Sequence, residues 1–106
     1  MPANLSEEAF AENLNTKFRV LLDAPREVEL ELVEVKSYNS GPNEQGGMVR
    51  FSLFLYGPGD FYLPQRTYAL EHASMGQLEL FIVPIGRDER GFRYEVVFNY
   101  FKTGES

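Results

Sequence analysis

Apolar and polar residues alternate with a period of two through most of this chain. In residues 92–101, for example, Tyr94, Val96, Phe98 and Tyr100 occupy every second position. Successive side chains of a β-strand point to opposite sides of the sheet, so this spacing indicates a strand with one buried face. The same pattern predicts six strands, over residues 17–22, 27–37, 48–56, 66–72, 77–85 and 92–101.

One short helix is predicted before the first strand, over residues 6–14. Ser6 is a good N-cap, and acidic residues follow it in the first turn, where the helix dipole favours negative charge. Phe10 and Leu14 lie four residues apart and therefore share one face. Asn15 is the expected left-handed residue at the end of the helix.

The alternation slips by one residue within two of the predicted strands. In residues 27–37 the apolar parity changes at Leu32 and Val33, and in residues 77–85 it changes near Pro84. A β-bulge adds one residue to one strand and produces such a slip. The alternative for the earlier strand is that its second half is covered on its other face. Proline at the later slip favours an edge or a bulge.

Six strands with short connections predict one mainly β domain over residues 1–106. We expect an antiparallel meander that forms a small barrel or a compact sandwich, with the N-terminal helix plugging an open end or covering an edge. Residues 38–47 are rich in Gly and Asn, which predicts a mobile loop. Residues 61–65 are expected to cross over to the fourth strand, and residues 86–91 to form a charged turn.

The first predicted hairpin carries opposite charges on its two strands. Its apolar faces coincide only if an odd number of residues forms the loop. Lys17 and Arg19 then fall opposite or diagonal to Glu29 and Glu31. We therefore expect a cross-strand charge ladder on a solvated face.

Acidic residues outnumber basic ones by 16 to 10 among the 106 residues, which gives a formal net charge of −6. Nucleic acids and anionic membrane surfaces are bound by clustered Lys and Arg, so neither is an expected partner. No stretch approaches the roughly 18 apolar residues of a membrane span, and the N-terminus lacks the apolar run of a signal peptide. We expect a cytoplasmic protein, free or incorporated into a particle.

The chain contains no Cys and one His. This composition excludes a thiol nucleophile and a multi-His metal site, and we expect neither a metal nor a cofactor. Glu71 and His72 form the one pair that resembles acid/base chemistry, but adjacent strand residues point to opposite faces. A hydrolase that uses His72 is therefore a remote alternative to a hydrogen-bonded structural histidine, and no catalytic residue is predicted.

Evenly spaced carboxylates form an acidic stripe along the second predicted strand: Glu27, Glu29, Glu31 and Glu34. Three interpretations remain open. The stripe could bind a cation, although strand carboxylates do not converge as Ca²⁺ ligands must. It could face a basic protein partner, or it could be a solvated face paired to Lys17 and Arg19.

Large apolar residues also occupy the parity opposite to the predicted core: Phe54, Tyr56, Phe81, Val97 and Phe101. A sheet with one wet face should not carry aromatic side chains there. The helix and the crossover could cover them, bulges could change the parity, or they could form an interface with a protein partner or a second copy.

Three segments carry a resemblance to a known family. Residues 63–72 read LPQRTYALEH, residues 76–86 fit GxLELFxVPIG, and the last strand contains Tyr94-Glu95 followed by Phe98-Asn99. Together they resemble a family of small, functionally uncharacterised bacterial domains of about this length. The resemblance implies an association with phage-tail-like or tail-collar components, and it implies no activity.

These observations favour a non-enzymatic structural or assembly module that acts through protein–protein contacts, in the setting of a phage-tail-like particle. The second apolar face would be buried against a neighbouring subunit, and the acidic stripe would help to select the partner. The alternative is a small-molecule-binding barrel. Its cavity would be lined by Phe51, Leu53, Tyr68, Tyr94 and Phe98.

Overall fold

A computed structural model describes residues 7–22, 27–38 and 48–101 of the chain. One short helix, α1 (Glu7–Ala11), precedes six strands. The strands are β1 (Lys17–Val20), β2 (Val28–Ser37), β3 (Met48–Gly57), β4 (Arg66–His72), β5 (Gly76–Asp88) and β6 (Gly91–Phe101). This confirms the mainly β class and the single short helix.

The six strands form one closed antiparallel ring in the order β1-β2-β3-β6-β5-β4. Each half of the chain is a three-stranded meander, but one continuous meander is not what the structure shows. Instead β3 pairs with β6, and β4 pairs with β1. The reason lies in residues 58–65, where Leu63 is fully buried and its amide donates a hydrogen bond to the Tyr94 hydroxyl at 3.0 Å. The connection therefore crosses the end of the barrel rather than forming a hairpin.

Both predicted slips in alternation are β-bulges. The register of β2 against β3 shifts between Leu32 and Glu34, which leaves Val33 as the extra residue. The register of β5 against β6 shifts between Pro84 and Gly86 in the same way. The first half of each bulged strand pairs with one neighbour and its second half with the other. The bulges thus lie where these long strands pass from one side of the barrel to the other.

Helix α1 closes the other end of the barrel. It is shorter than the predicted span of residues 6–14, because a turn over residues 12–15 follows Ala11. Asn15 ends this turn with φ 67°, the left-handed conformation that its position predicted. The predicted N-cap, Ser6, lies outside the described residues. Phe10 is fully buried and packs against aromatic rings of three strands, those of Phe18, Phe51 and Phe98.

Several strand ends differ from their predicted positions. The first strand ends at Val20 rather than at residue 22, and β3 continues to Gly57. The predicted turn over residues 86–91 is mostly strand, because β5 continues to Asp88 and β6 begins at Gly91. Asp88 stabilises the tight two-residue turn by accepting a hydrogen bond from the Arg90 amide at 2.9 Å. The predicted loop over residues 38–47 lies outside the described residues from position 39 onwards.

The first hairpin has the predicted charge ladder. Lys17 lies opposite Glu31 and Arg19 lies opposite Glu29, while the apolar residues between them face the core. Alternation predicted that these charged residues share one face, because a shift by one residue would have exposed the entire apolar face. The structure shows which of the two open registers is formed, with the charges directly opposite rather than diagonal.

Candidate functional site

Apolar side chains lie together on the outer face of β3, β6 and β5. Phe54 on β3 is opposite Glu95 on β6, and Glu95 is opposite Val83 on β5. Val97 follows two residues after Glu95 on the same face, and Phe81 precedes Val83 by two residues. Val97 is 59% exposed and Phe81 is 49% exposed, whereas the other two are half-buried. We call Phe54, Phe81, Val83 and Val97 the apolar patch.

The two elements that could have covered this face lie at the ends of the barrel. The Phe10 ring of α1 is 5.5 Å from the ring of Phe98, whose neighbours in the stack are core residues. Leu63 of the crossover is bonded to Tyr94, which is fully buried in the interior. The apolar patch therefore remains on the surface of the described fold.

Tyr56 borders the patch but is engaged within the chain. Its hydroxyl donates a hydrogen bond to Asp88 Oδ2 at 2.5 Å, and the Arg90 guanidinium lies 4.3 Å from the centre of its ring. The hydrogen bond raises the pKa of Tyr56, and it lowers the pKa of Asp88 because the charged carboxylate is the better acceptor. The side chain of Phe101, also predicted to lie in this set, falls outside the described residues.

A single carboxylate stands among the apolar patch. Glu95 is half-buried, and its Oε2 accepts a hydrogen bond from Ser52 Oγ at 2.8 Å. Ser52 is fully buried although it lies on the outer face of β3, opposite Val97. The hydrogen bond therefore holds the carboxylate in one place within the patch.

Two of the four glutamates of the acidic stripe form ion pairs. Arg19 lies 3.5 Å from Glu27, and Arg90 lies 3.2 Å from Glu31. Lys17, Arg90 and three of the stripe's glutamates line an open groove of about 420 Å³ together with Tyr56, Gly57 and Pro58. This mixture of charges is typical of a solvated face. Within residues 7–22, 27–38 and 48–101, no three carboxylates or imidazoles are placed to hold a metal ion together.

Glu34 is separated from the rest of the stripe by the bulge at Val33. It pairs with Phe54 in the β2–β3 ladder and is exposed. Glu34 therefore borders the apolar patch, whereas Glu27, Glu29 and Glu31 line the groove or the first hairpin.

His72 is buried and holds a turn in place. Its Nδ1 accepts hydrogen bonds from the amides of Ser74 and Met75, each at 3.1 Å. Accepting at Nδ1 leaves the proton on Nε2, which lies 2.8 Å from Thr16 Oγ1. Burial lowers the pKa of His72, because it disfavours the charged imidazolium. The ring thus links the β4–β5 turn to the residue that precedes β1.

The hydroxyl of Ser74 and the ring of His72 are not arranged as a nucleophile that donates its proton to a general base. Ser74 Oγ lies 3.3 Å from Nδ1, but this nitrogen already accepts two backbone hydrogen bonds, and the hydroxyl lies 2.8 Å from Asn13 Oδ1. Glu71 faces the other side of the sheet, where it forms an ion pair with Arg19. Both ring nitrogens of His72 are thus engaged within the chain.

Four of the five side chains predicted to line a ligand cavity contact other groups of the chain. The rings of Phe51 and Phe98 are stacked with their centres 4.7 Å apart. The Tyr68 hydroxyl donates to the Pro64 carbonyl at 2.6 Å, and Tyr94 accepts from the amide of the crossover. Burial raises the pKa of both tyrosines. The fifth side chain, Leu53, is fully buried.

Comparison with known proteins places the chain in a family. A family model described as a domain of unknown function, DUF6916, matches residues 5–98. The chain belongs to this family. No curated protein and no solved structure shows a significant match. Membership in DUF6916 confirms the resemblance to a small uncharacterised domain, and it assigns no activity.

Two features of this DUF6916 chain were not singled out from its sequence. Val83 and Glu95 were each recognised only as parts of motifs, yet they occupy the middle of the apolar patch. The signal that could have revealed Glu95 is a lone charge among apolar residues of one parity.

No helix in the described part of this DUF6916 chain is long and apolar enough to cross a bilayer.

Proposed function

We propose that this chain is a non-enzymatic assembly module that binds a protein partner through the apolar patch. The observation that carries the proposal is the position of Phe81 and Val97, two large apolar side chains about half exposed on neighbouring strands. Exposed apolar surface of this kind, rimmed by charged residues, is typical of protein–protein contacts.

A role in a phage-tail-like particle is part of this proposal. Its support is the resemblance to domains that accompany phage-tail-like or tail-collar components. The absence of catalysis is supported by the state of His72, because its accepting nitrogen is occupied by two backbone amides.

A displayed library of random, disulfide-closed 12-residue peptides tests the proposal, with the whole chain as the target. Selected peptides are measured by fluorescence anisotropy against wild type and against the double variant Phe81→Ser, Val97→Ser. We expect the variant to bind them at least tenfold more weakly, because central apolar anchors carry most of the affinity of an interface.

The matched control is the double variant Leu21→Ser, Tyr62→Ser. It also removes one exposed aliphatic and one exposed aromatic side chain, but from outside the patch. We expect this control to bind within twofold of wild type. Peptides that bind both double variants equally, or a selection that enriches no sequence, would overturn the proposal.

A further inference from the structure

We infer that Glu95 is the specificity-determining residue of the apolar patch, and that the partner is a basic protein segment that places one Lys or Arg side chain, flanked by apolar residues, over this carboxylate. The inference rests on the proposed function and names the chemistry of its partner.

The first argument is the cost of dehydrating a charge. Glu95 lies between Phe54 and Val83 across the strands, and Val97 follows it on the same face. A partner that buries these apolar groups must also remove water from the carboxylate. Burying an unpaired carboxylate is strongly unfavourable, so an entirely apolar partner is disfavoured. A cation from the partner offsets that cost and makes the contact selective.

The second argument is that the carboxylate is already oriented. Ser52 is fully buried and donates its hydroxyl hydrogen to Glu95 Oε2 at 2.8 Å. This bond occupies one oxygen and fixes the direction of the other. A guanidinium or ammonium that arrives from the partner therefore meets a preorganised acceptor, which reduces the entropy lost on binding.

Among the described residues, the nearest cation along the strand is engaged elsewhere. Arg93 precedes Glu95 by two residues on the same face, but its guanidinium lies over the ring of Tyr56, 5.6 Å from the ring centre. No Lys or Arg forms an ion pair with Glu95 within the residues that the structure describes.

The net charge of the chain favours a basic partner over a second copy of this chain. Glu34 is exposed beside Phe54, and Glu79 is exposed two residues before Phe81 on the same face. The rim also carries Lys36, which is exposed and lies opposite Ser52 in the β2–β3 ladder. Each chain nevertheless has a net charge of −6, so two copies repel each other as they approach. Like charges across an interface oppose binding, whereas a basic segment is attracted from a distance.

The test uses the peptides selected on the apolar patch. We expect them to contain Lys or Arg between apolar residues. Replacing that Arg by the neutral isostere citrulline should weaken binding to wild type at least tenfold. The variant Glu95→Gln keeps a side chain of the same shape and should weaken binding of the Arg peptide by a similar factor, while the citrulline peptide is indifferent to it. The rim variant Glu79→Gln is the control and should change the affinity less than threefold.

The outcomes separate this inference from the proposed function. Peptides that need Phe81 and Val97 but contain no basic residue, or that bind Glu95→Gln as tightly as wild type, overturn the inference and leave the proposed function standing. Peptides that ignore Phe81 and Val97 overturn both. Self-association of wild type in native mass spectrometry that the Phe81→Ser, Val97→Ser variant abolishes also overturns the inference, because the occupant is then a second copy.

Discussion

Gly91 begins the last strand at a point where no other residue fits. Its φ is +137°, and a Cβ at this position would lie 2.0 Å from the carbonyl oxygen of Gly57. The close approach lets the β5–β6 hairpin pack against the end of β3. We expect Gly91→Ala to lower the free energy of unfolding by about 2 kcal/mol or more, measured by urea denaturation.

The control for this prediction is Gly86→Ala. A Cβ at Gly86 meets no atom within 4 Å, so this variant should change the stability by less than about 0.5 kcal/mol. Equal stability losses in the two variants would show that the close approach to Gly57 is not what requires glycine.

His72 makes the stability of the chain depend on pH. Burial lowers its pKa below the ordinary value of 6.5. Between this lowered pKa and 6.5 the unfolded chain binds more protons than the folded chain, so the free energy of unfolding rises with pH. The stability should therefore be full above pH 6.5 and should fall as the pH drops from 6.5 towards the pKa of the folded state.

The single His of the chain allows this pKa to be measured directly. We expect the NMR titration of its ring in the folded protein to have a midpoint below 6.5, and in urea-unfolded protein a midpoint near 6.5. Urea denaturation at pH 7.5 and at pH 5.5 should show the matching loss of stability. A folded-state midpoint at or above 6.5 would contradict the assignment of a neutral, buried ring.

At the scale of elements, α1 is too short to be stable by itself. The hydrogen bonds of a five-residue helix do not offset the free-energy cost of helix nucleation, so tertiary packing must stabilise it. Phe10 provides that packing, and we expect Phe10→Ala to cost about 3–5 kcal/mol of unfolding free energy, measured by thermal or urea denaturation. The loss of the ring would also leave a cavity at one end of the barrel.

Leu14→Ala is the matched control for the helix. Leu14 follows α1 in the adjoining turn and is exposed, so its truncation should cost less than about 1 kcal/mol. If Phe10→Ala lowered the free energy of unfolding no more than Leu14→Ala, the helix would not close this end of the barrel.

The crossover over residues 58–65 and the two bulged strands decide how the elements join. The crossover buries Leu63 over the barrel interior, where the Tyr94 hydroxyl accepts its amide hydrogen. Both bulges, at Val33 and at Ile85, were visible in the sequence as slips in alternation. A bulge is a local feature of one strand and can be predicted from its residues. The strand beside which β4 pairs after the crossover depends instead on which strand edge remains free in the assembled sheet.

At the scale of the whole molecule, the neighbouring strands of the ring are paired over very different lengths. The β3–β6 ladder runs along the full length of β3, from Met48 to Gly57. Among the described residues, the β1–β4 pairing covers Arg19 and Val20, followed by the hydrogen bond from the Leu21 amide to the Ala69 carbonyl at 2.8 Å. The seam between β1 and β4 is therefore where we expect the barrel to open first.

Native-state hydrogen exchange measured by NMR tests this expectation. The amide of Leu21 should exchange through a partial opening, at least tenfold faster than the amides of Leu53 and Val96 in the central strands. Equal protection at all three amides would mean that the ring opens only by global unfolding. A slower Leu21 amide would place the weak seam elsewhere.

Much of the local architecture is determined by the sequence alone. The alternation of apolar residues predicted the mainly β class, marked the positions of the two bulges, and placed Lys17 and Arg19 on the same face as Glu29 and Glu31. The left-handed Asn15 followed from its place after a short helix. These features depend on neighbours along the chain or across one hairpin, so residue spacing is enough to predict them.

Only the tertiary structure decided which strands are neighbours and what surrounds each candidate residue. Parity indicates that Phe54, Phe81 and Val97 face away from the core, but not that Glu95 stands between them. Thr16, whose hydroxyl lies 2.8 Å from Nε2 of His72, is 56 residues away from it in the chain. The physical reason is that a crossover selects its pairing edge by burying Leu63 and satisfying its amide, and that choice depends on the assembled barrel rather than on any local pattern.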